Sequence, residues 1–189
     1  MLTLRALGEA QTRLLYEHQL ARDFPPSELR PLSAILSMRR AGLYDVLGAY
    51  DGGEMVGYAL LYCPKEGGVL LLDYLAVEPH ARSRGIGTTM LSLLKDHYAP
   101  RADALLIECE RPKAARDEAE ARRRIRFYLL GGAELTRVRI WLFEVQYSIL
   151  VLPCSQTPRS EDWAEAILSM YRQMLSPRLF AQNVRLIRS

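Results

Sequence analysis

Cysteine is scarce: Cys63, Cys109 and Cys154 are the only three in 189 residues, widely spaced and without a Cys-x-x-Cys pair. That excludes a disulfide-stapled scaffold and offers no thiolate metal site. Cys63 and Cys109 lie in apolar, strand-like runs, so buried thiols and a cytoplasmic location are expected. An excess of charge is missing too, with 25 basic against 22 acidic side chains and a net charge of +3. Positive charge balanced almost one for one leaves no electrostatic footprint for nucleic acid. No apolar run approaches the length of a membrane span. Arg5, Glu9 and Arg13 interrupt the stretch where a secretory signal would need an apolar core. His18, His80 and His97 are scattered and form no metal constellation, and no internal repeat is present. What remains, 49% apolar and 25% charged, is the composition of a globular chain long enough for a full core.

Along the chain, strand and helix patterns alternate. Met1 to Leu7 reads as a short edge strand or a lead-in, and Gly8 to Arg22 as a helix broken by Asp23-Phe24-Pro25-Pro26. Ser27 is placed to cap a second helix, Glu28 to about Arg40, with Pro31 in its first turns. Leu43 to Tyr50 and Met55 to Tyr62 read as strands joined by the hairpin turn Asp51-Gly52-Gly53-Glu54. An apolar strand, Val69 to Val77, precedes a helix from Gly85 to Tyr98, and Ala104 to Glu110 is the next strand, a parallel βαβ pattern. Asp117 opens a charged helix with Glu118–Arg122 and Glu120–Arg124 as i,i+4 pairs. Ile125, Tyr128 and Leu129 form its buried stripe, and Gly131-Gly132 ends it. Glu134 to Leu152 holds two strands split near Glu144 to Gln146. Pro153 to Pro158 reads as a linker. Ser160 is placed to cap a last helix carrying Ala164, Ile167, Leu168, Tyr171, Met174 and Leu175 in register, which Pro177 ends. The tail from Arg178 alternates weakly enough to add one more strand.

The stretch Val69 to Leu94 organises the rest. Its strand ends in Leu75-Ala76-Val77, a turn follows at Glu78-Pro79, and Arg82-Ser83-Arg84-Gly85-Ile86-Gly87 leads into an amphipathic helix. Two glycines let backbone approach a ligand, the first helical amides lack intrahelical acceptors, and two arginines add positive charge. Such a turn suits a phosphate or pyrophosphate. A Walker loop is excluded because Thr88 stands where the lysine belongs. The dinucleotide fingerprint is excluded because Met90 stands where its third glycine belongs.

The pattern resembles the acetyl-CoA loop of the GNAT acetyltransferases, Arg/Gln-x-x-Gly-x-Gly/Ala after an apolar-x-Val strand end, filled here by Arg82, Gly85, Gly87 and Leu75-Ala76-Val77. Tyr128 and Gly132 fill a second motif of that family, with Ala133 in place of its aromatic residue. The resemblance implies an α/β fold with a central mixed sheet of about six to seven strands flanked by helices. It implies a domain over residues 1–153, and residues 154–189 extend past that core as a C-terminal helical extension expected to pack on it. The first two helices would wall the substrate side. The extension would cover the sheet, close the substrate cleft or form a homodimer contact.

The resemblance also implies acetyl-CoA as co-substrate. Leu75, Ala76 and Val77 would pair with its pantetheine amides, and Arg82, Ser83, Arg84, Gly85, Ile86, Gly87 and Thr88 would hold its pyrophosphate. Transfer to a primary amine, of a small molecule or a protein, needs a base, and a carboxylate suits an amine, often through water. Glu108 matches the base of the family's protein N-terminal acetyltransferases, here within Ile107-Glu108-Cys109, although the stretch from Glu108 to Tyr128 is longer than theirs. Glu110, on the same face of a pleated strand, is the second choice and Asp73 the third. Tyr128 would be the general acid toward the CoA sulfur, the family's commonest arrangement. A non-catalytic acyl-CoA sensor would keep the loop without needing Glu108 or Tyr128. An interaction protein would need only the fold.

Overall fold

In the computed structural model, which describes residues 1–155 and 162–187, the segments gather into two compact units. The first comprises residues 1–66 and 72–94; the second comprises 67–71 and the described residues from Lys95 on.

The first unit opens with β1 (Thr3–Ala6) and α1 (Glu9–Leu15). A π-helical turn (Tyr16–Leu20) carries α1 into the short α2 (Ala21–Asp23); α3 (Leu32–Arg40), β2 (Tyr44–Asp51) and β3 (Glu54–Tyr62) follow. The unit then takes the second part of β4 (Gly68–Val77) and most of α4 (Ile86–Tyr98). Strand β1 pairs antiparallel with β2, Thr3 opposite Tyr50 and Ala6 opposite Leu47. The β2–β3 turn places Gly52 and Gly53 at φ 59° and 95°, the left-handed pair that a tight hairpin requires.

Gly57 on β3 is fixed by packing. A Cβ there would stand 2.7 Å from Met90 Sδ and 2.8 Å from the Ala76 carbonyl oxygen. Its absence lets α4 sit directly on the sheet. Met90 joins Ala49, Val56 and Ala81 in a buried cluster, with Leu75, Val77 and Ile86 packed against it. The end of β4 and the start of α4 are thereby held by one apolar contact.

The second helix starts later than the sequence suggests. Helix α3 begins at Leu32 with Pro31 at its N-cap, and Ser27 caps nothing. Proline disfavours helical backbone at Arg30. The Tyr74 hydroxyl also pins the segment, donating to the Glu28 carbonyl (2.8 Å) and accepting from the Arg30 N–H (2.8 Å).

The second unit contains β5 (Ala102–Glu110), α5 (Glu118–Leu130), β6 (Glu134–Leu142), β7 (Val145–Pro153), α6 (Trp163–Met174), α7 (Pro177–Asn183) and β8 (Val184–Leu186). Strand β7 pairs antiparallel with β5, Glu108 opposite Ile149 and Glu110 opposite Tyr147. Strand β6 pairs with β7 and β8. Asp117 caps α5 by accepting the Glu120 N–H at 2.9 Å. Glu118 pairs with Arg122 as expected, but Glu120 pairs with Arg123, three residues on, in place of Arg124. Leu129 is exposed, and the buried line is Ala121 and Tyr128 with Ile125 half-buried. Those three follow spacings of four and three, and Leu129 lies a further ~100° round the helix.

Asp162, accepting from Ala164 and Glu165 amides, caps α6; Ser160 and the linker residues from Gln156 lie outside the described residues. Pro177 does not end α6. It opens α7, capped by Ser176, whose hydroxyl accepts from Leu179 N–H. Among the described residues eight strands lie in the order β1-β2-β3-β4-β5-β7-β6-β8, against an expected six to seven. The excess comes from the short β1 and β8, four and three residues long, at the ends of that order. Cys63 and Cys109 are buried, Cys154 is half-buried, and all three are free thiols. Among the described residues no helix is long and apolar enough to cross a membrane.

Candidate active site

The predicted anion loop lies in the first unit. After the half-buried Leu75-Ala76-Val77, the Glu78 N–H donates to the Val56 carbonyl (2.9 Å), anchoring the chain to β3 as it leaves the sheet. One 3-10 turn, Pro79–Ala81, leads to Arg82. Ser83 and Gly85 then take φ 61° and 75°. Left-handed residues in such a turn direct successive N–H groups to one side and form an anion-binding concavity. A Cβ on Gly85 would meet nothing within 4 Å, so its backbone angle, not crowding, is what calls for glycine. The first bond closing α4 runs from Thr89 N–H to Gly85 O at 3.0 Å. The preceding amides of Ile86, Gly87 and Thr88 lack intrahelical acceptors and sit at the positive end of the helix.

The two loop arginines differ. Arg82 Nε donates to the Val77 carbonyl (3.0 Å) and Nη2 to Asp23 Oδ1 (3.3 Å). Its charge is matched and its side chain ties the loop to β4. Arg84 is exposed and pairs with no described residue. Exposed amides, a helix N-terminus and the free Arg84 cation form a donor set that fits a diphosphate, the anionic part of an acyl-CoA.

Asp23, at the end of α2, gathers the surroundings of the loop. It accepts from Arg22 Nη2 (2.7 Å), Tyr58 Oη (2.9 Å) and Arg82. Burial works against its charge, but the hydrogen bonds from Arg22 and Tyr58 prevail and hold the carboxyl below its usual range. Arg22 reaches on to Glu78 Oε2 at 2.9 Å, and Glu78 is itself buried. Asp73, the third candidate base, is committed elsewhere: it pairs with Arg30 Nε at 2.6 Å and accepts from the Tyr44 hydroxyl.

Glu108, Glu110 and Tyr128 lie in the second unit. Adjacent strand residues point to opposite faces, so Cys109 faces away from Glu108 and Glu110. Burial and then the Cys109 thiol raise the Tyr128 phenol well above the ordinary range, while Arg124 acts in the other direction. Its ring meets Phe127 edge-on at 4.9 Å, and no described residue hydrogen-bonds its hydroxyl. Glu108 Oε2 accepts a hydrogen bond from Tyr171 Oη at 2.9 Å.

Sequence reading missed Asp23, Tyr58 and the contact of Tyr171. Asp23 looked like part of a helix break, and Tyr171 like one more residue of an apolar stripe. Their partners are 35, 59 and 63 residues away, so no local spacing carries the signal.

Comparisons with known proteins follow the same lines. Residues 12–131 match the model of the acetyltransferase (GNAT) family. No curated protein matches the chain. Among solved structures, a protein from Bacteroides thetaiotaomicron described as a GNAT-family acetyltransferase superposes with a TM-score of 0.73 at 21% identity, covering 89% of this chain and 96% of its own. The ribosomal-protein-S18-alanine N-acetyltransferase of Escherichia coli gives 0.62 at 18% identity, with 85% and 99% covered. The spermidine N-acetyltransferase of Vibrio cholerae, solved with CoA and spermine, gives 0.63 at 12% identity, with 82% and 96% covered. At these identities the superpositions establish the fold, while the family model spans well over half of the sequence. The chain therefore belongs to the acetyltransferase (GNAT) family of acyl-CoA-dependent N-acyltransferases.

Proposed function

We propose that the protein transfers an acetyl group from acetyl-CoA directly to a primary amine. The observation that carries this is the loop: two left-handed residues, helix amides without intrahelical acceptors and an Arg84 that pairs with no described residue follow the half-buried end of β4. Backbone groups of Leu75, Ala76 and Val77 would pair with the pantetheine amides. Residues 83–88 and Arg84 would take the pyrophosphate, with Arg82 holding the loop in shape.

An amine at neutral pH is an ammonium ion and must lose a proton before it attacks. Glu108 accepts that proton, through one water where the distance requires it. Attack forms the N–C bond and breaks the C–S bond. The second nitrogen proton passes to water, Tyr128 gives its proton to the leaving thiolate, and solvent returns a proton to the Tyr128 phenolate. A buried phenol stays protonated at working pH, as this role needs. Glu110 shares the face of Glu108, and two carboxylates there favour a cationic acceptor over an anionic one. Two of the structural relatives are a spermidine N-acetyltransferase and a protein-alanine N-acetyltransferase, and the acceptors of both are amines.

Calorimetric titration with acetyl-CoA, with CoA and ATP as controls, tests the loop. Thiol release over a panel of spermidine, an aminoglycoside and an alanine-initiated peptide tests the transfer. Glu108→Gln and Tyr128→Phe are expected to retain acetyl-CoA binding and to lose about 10²- to 10⁴-fold in turnover. Full turnover in both variants would remove the two assigned roles, and preference for an anionic acceptor would overturn the acceptor class.

A further inference from the structure

Helix α6 lies outside residues 12–131, the part of the chain that matches the family. Its Asp162 cap and the buried Ile167, Met170 and Tyr171 fix it in the second unit. Tyr171 is only 1% exposed, and its hydroxyl donates to Glu108 Oε2 at 2.9 Å across 63 residues of sequence. A buried phenol needs a partner for its hydroxyl, and a carboxylate on a strand needs something to hold its rotamer. Each supplies the other.

We propose that Tyr171 is a positioning residue for Glu108, so that the C-terminal extension completes the active site rather than merely covering the sheet. The inference rests on the reading of Glu108 as the base. A phenol donating to one carboxylate oxygen fixes the plane of the group and favours its ionised form. The extension thereby fixes where the proton goes, although Tyr171 itself touches no reacting atom.

Among the described residues, other titratable groups lie on the elements around Glu108. Glu110 shares its face on β5, and Tyr147, opposite Glu110, faces the same way from β7. On α6, Glu165 and Arg172 are exposed and pair with each other. Cys109, adjacent on β5, points to the opposite face, and Arg124 and Tyr128 of α5 interact electrostatically with its thiol.

The test uses the full-length protein in two arms. The first needs no acceptor: the Glu108 side-chain carboxyl, labelled with ¹³C and assigned by its loss in Glu108→Gln, is titrated by NMR in the wild type and in Tyr171→Phe. Loss of the hydroxyl should raise its midpoint by about one pH unit. An unmoved midpoint would overturn the proposal. The second arm follows thiol release with whichever amine of the panel is turned over. Tyr171→Phe should lower kcat about tenfold with the KM for acetyl-CoA unchanged, and should have no further effect in the Glu108→Gln background. An equal loss in both backgrounds would mean that Tyr171 does not act through Glu108. Full turnover in Glu108→Gln would remove the base assignment while the NMR shift still reported the contact, so the two failures are separable.

Discussion

Asp23 and Arg82, 59 residues apart, are joined by an ion pair of 3.3 Å that fastens the end of the first helical segment to the anion loop. Tyr58 and Arg22 hold the same carboxylate. The helix that would wall the acceptor and the loop that would hold acyl-CoA therefore share one half-buried acid.

Replacing Asp23 should loosen both. Asp23→Ala leaves the Tyr58 hydroxyl without its acceptor, Arg82 without its anion and Arg22 with Glu78 alone. The arginines are 41% and 54% exposed and can rehydrate, which limits the loss to about 1–2 kcal/mol. Acetyl-CoA affinity should fall about three- to tenfold as the loop loses its brace. Urea denaturation and calorimetry read the two effects separately, and unchanged affinity would show that the brace does not shape the loop.

The loop arginines should differ in kind. Arg84→Gln removes the only loop cation without a described partner. Acetyl-CoA binding is expected to weaken about tenfold and to become less sensitive to salt, because the lost interaction is a screened charge pair. Arg82→Gln should instead cost stability through the lost bonds to Val77 and Asp23. If the two variants gave the same salt dependence of binding, the division of roles would fail.

Gly57 offers a purely steric prediction. An added methyl would press on Met90 Sδ, which can swing away, and on the Ala76 carbonyl, which is backbone and cannot. Gly57→Ala should destabilise by about 1–3 kcal/mol. Shortening Met90 in addition should recover only part of this. Full recovery in the double variant would show that the β4 backbone yields.

Much of this was legible in the sequence because its signals are local. The glycine hairpin at 52–53, the strand–turn–helix at 69–98, the Asp117 cap and the Glu118–Arg122 pair each depend on residues a few positions apart. The start of α3 was misplaced because the deciding partner of Glu28 and Arg30 is Tyr74, more than 40 residues on. Strands β1 and β8 fall where the sequence allowed a strand, at an edge strand or lead-in and in a weakly alternating tail; at four and three residues alternation alone does not decide them, and pairing with β2 and β6 does. At the candidate site the loop could be read, but the state of its side chains could not. Nothing local distinguishes an Arg82 tied to Asp23 from an Arg84 left for a ligand, or marks Tyr171 as the partner of Glu108.

Glu9 provides a pH test away from the site. Its carboxylate accepts from Arg40 at 2.7 Å and from Arg13 at 2.8 Å, joining the first turn of α1 to the last turn of α3. The hydrogen bond from Arg40 and then that from Arg13 pull its carboxyl down to about 2. A depressed folded-state pKa adds stability that is fully present above the unfolded value of 4.5 and is lost as the pH falls toward 2. Wild type should therefore melt above Glu9→Gln at neutral pH, by a small margin because the pair is exposed. The margin should shrink steadily between pH 4.5 and 2. A difference in Tm that stayed constant through that window, or grew as the pH fell, would mean that Glu9 stabilises the helices by something other than its charge.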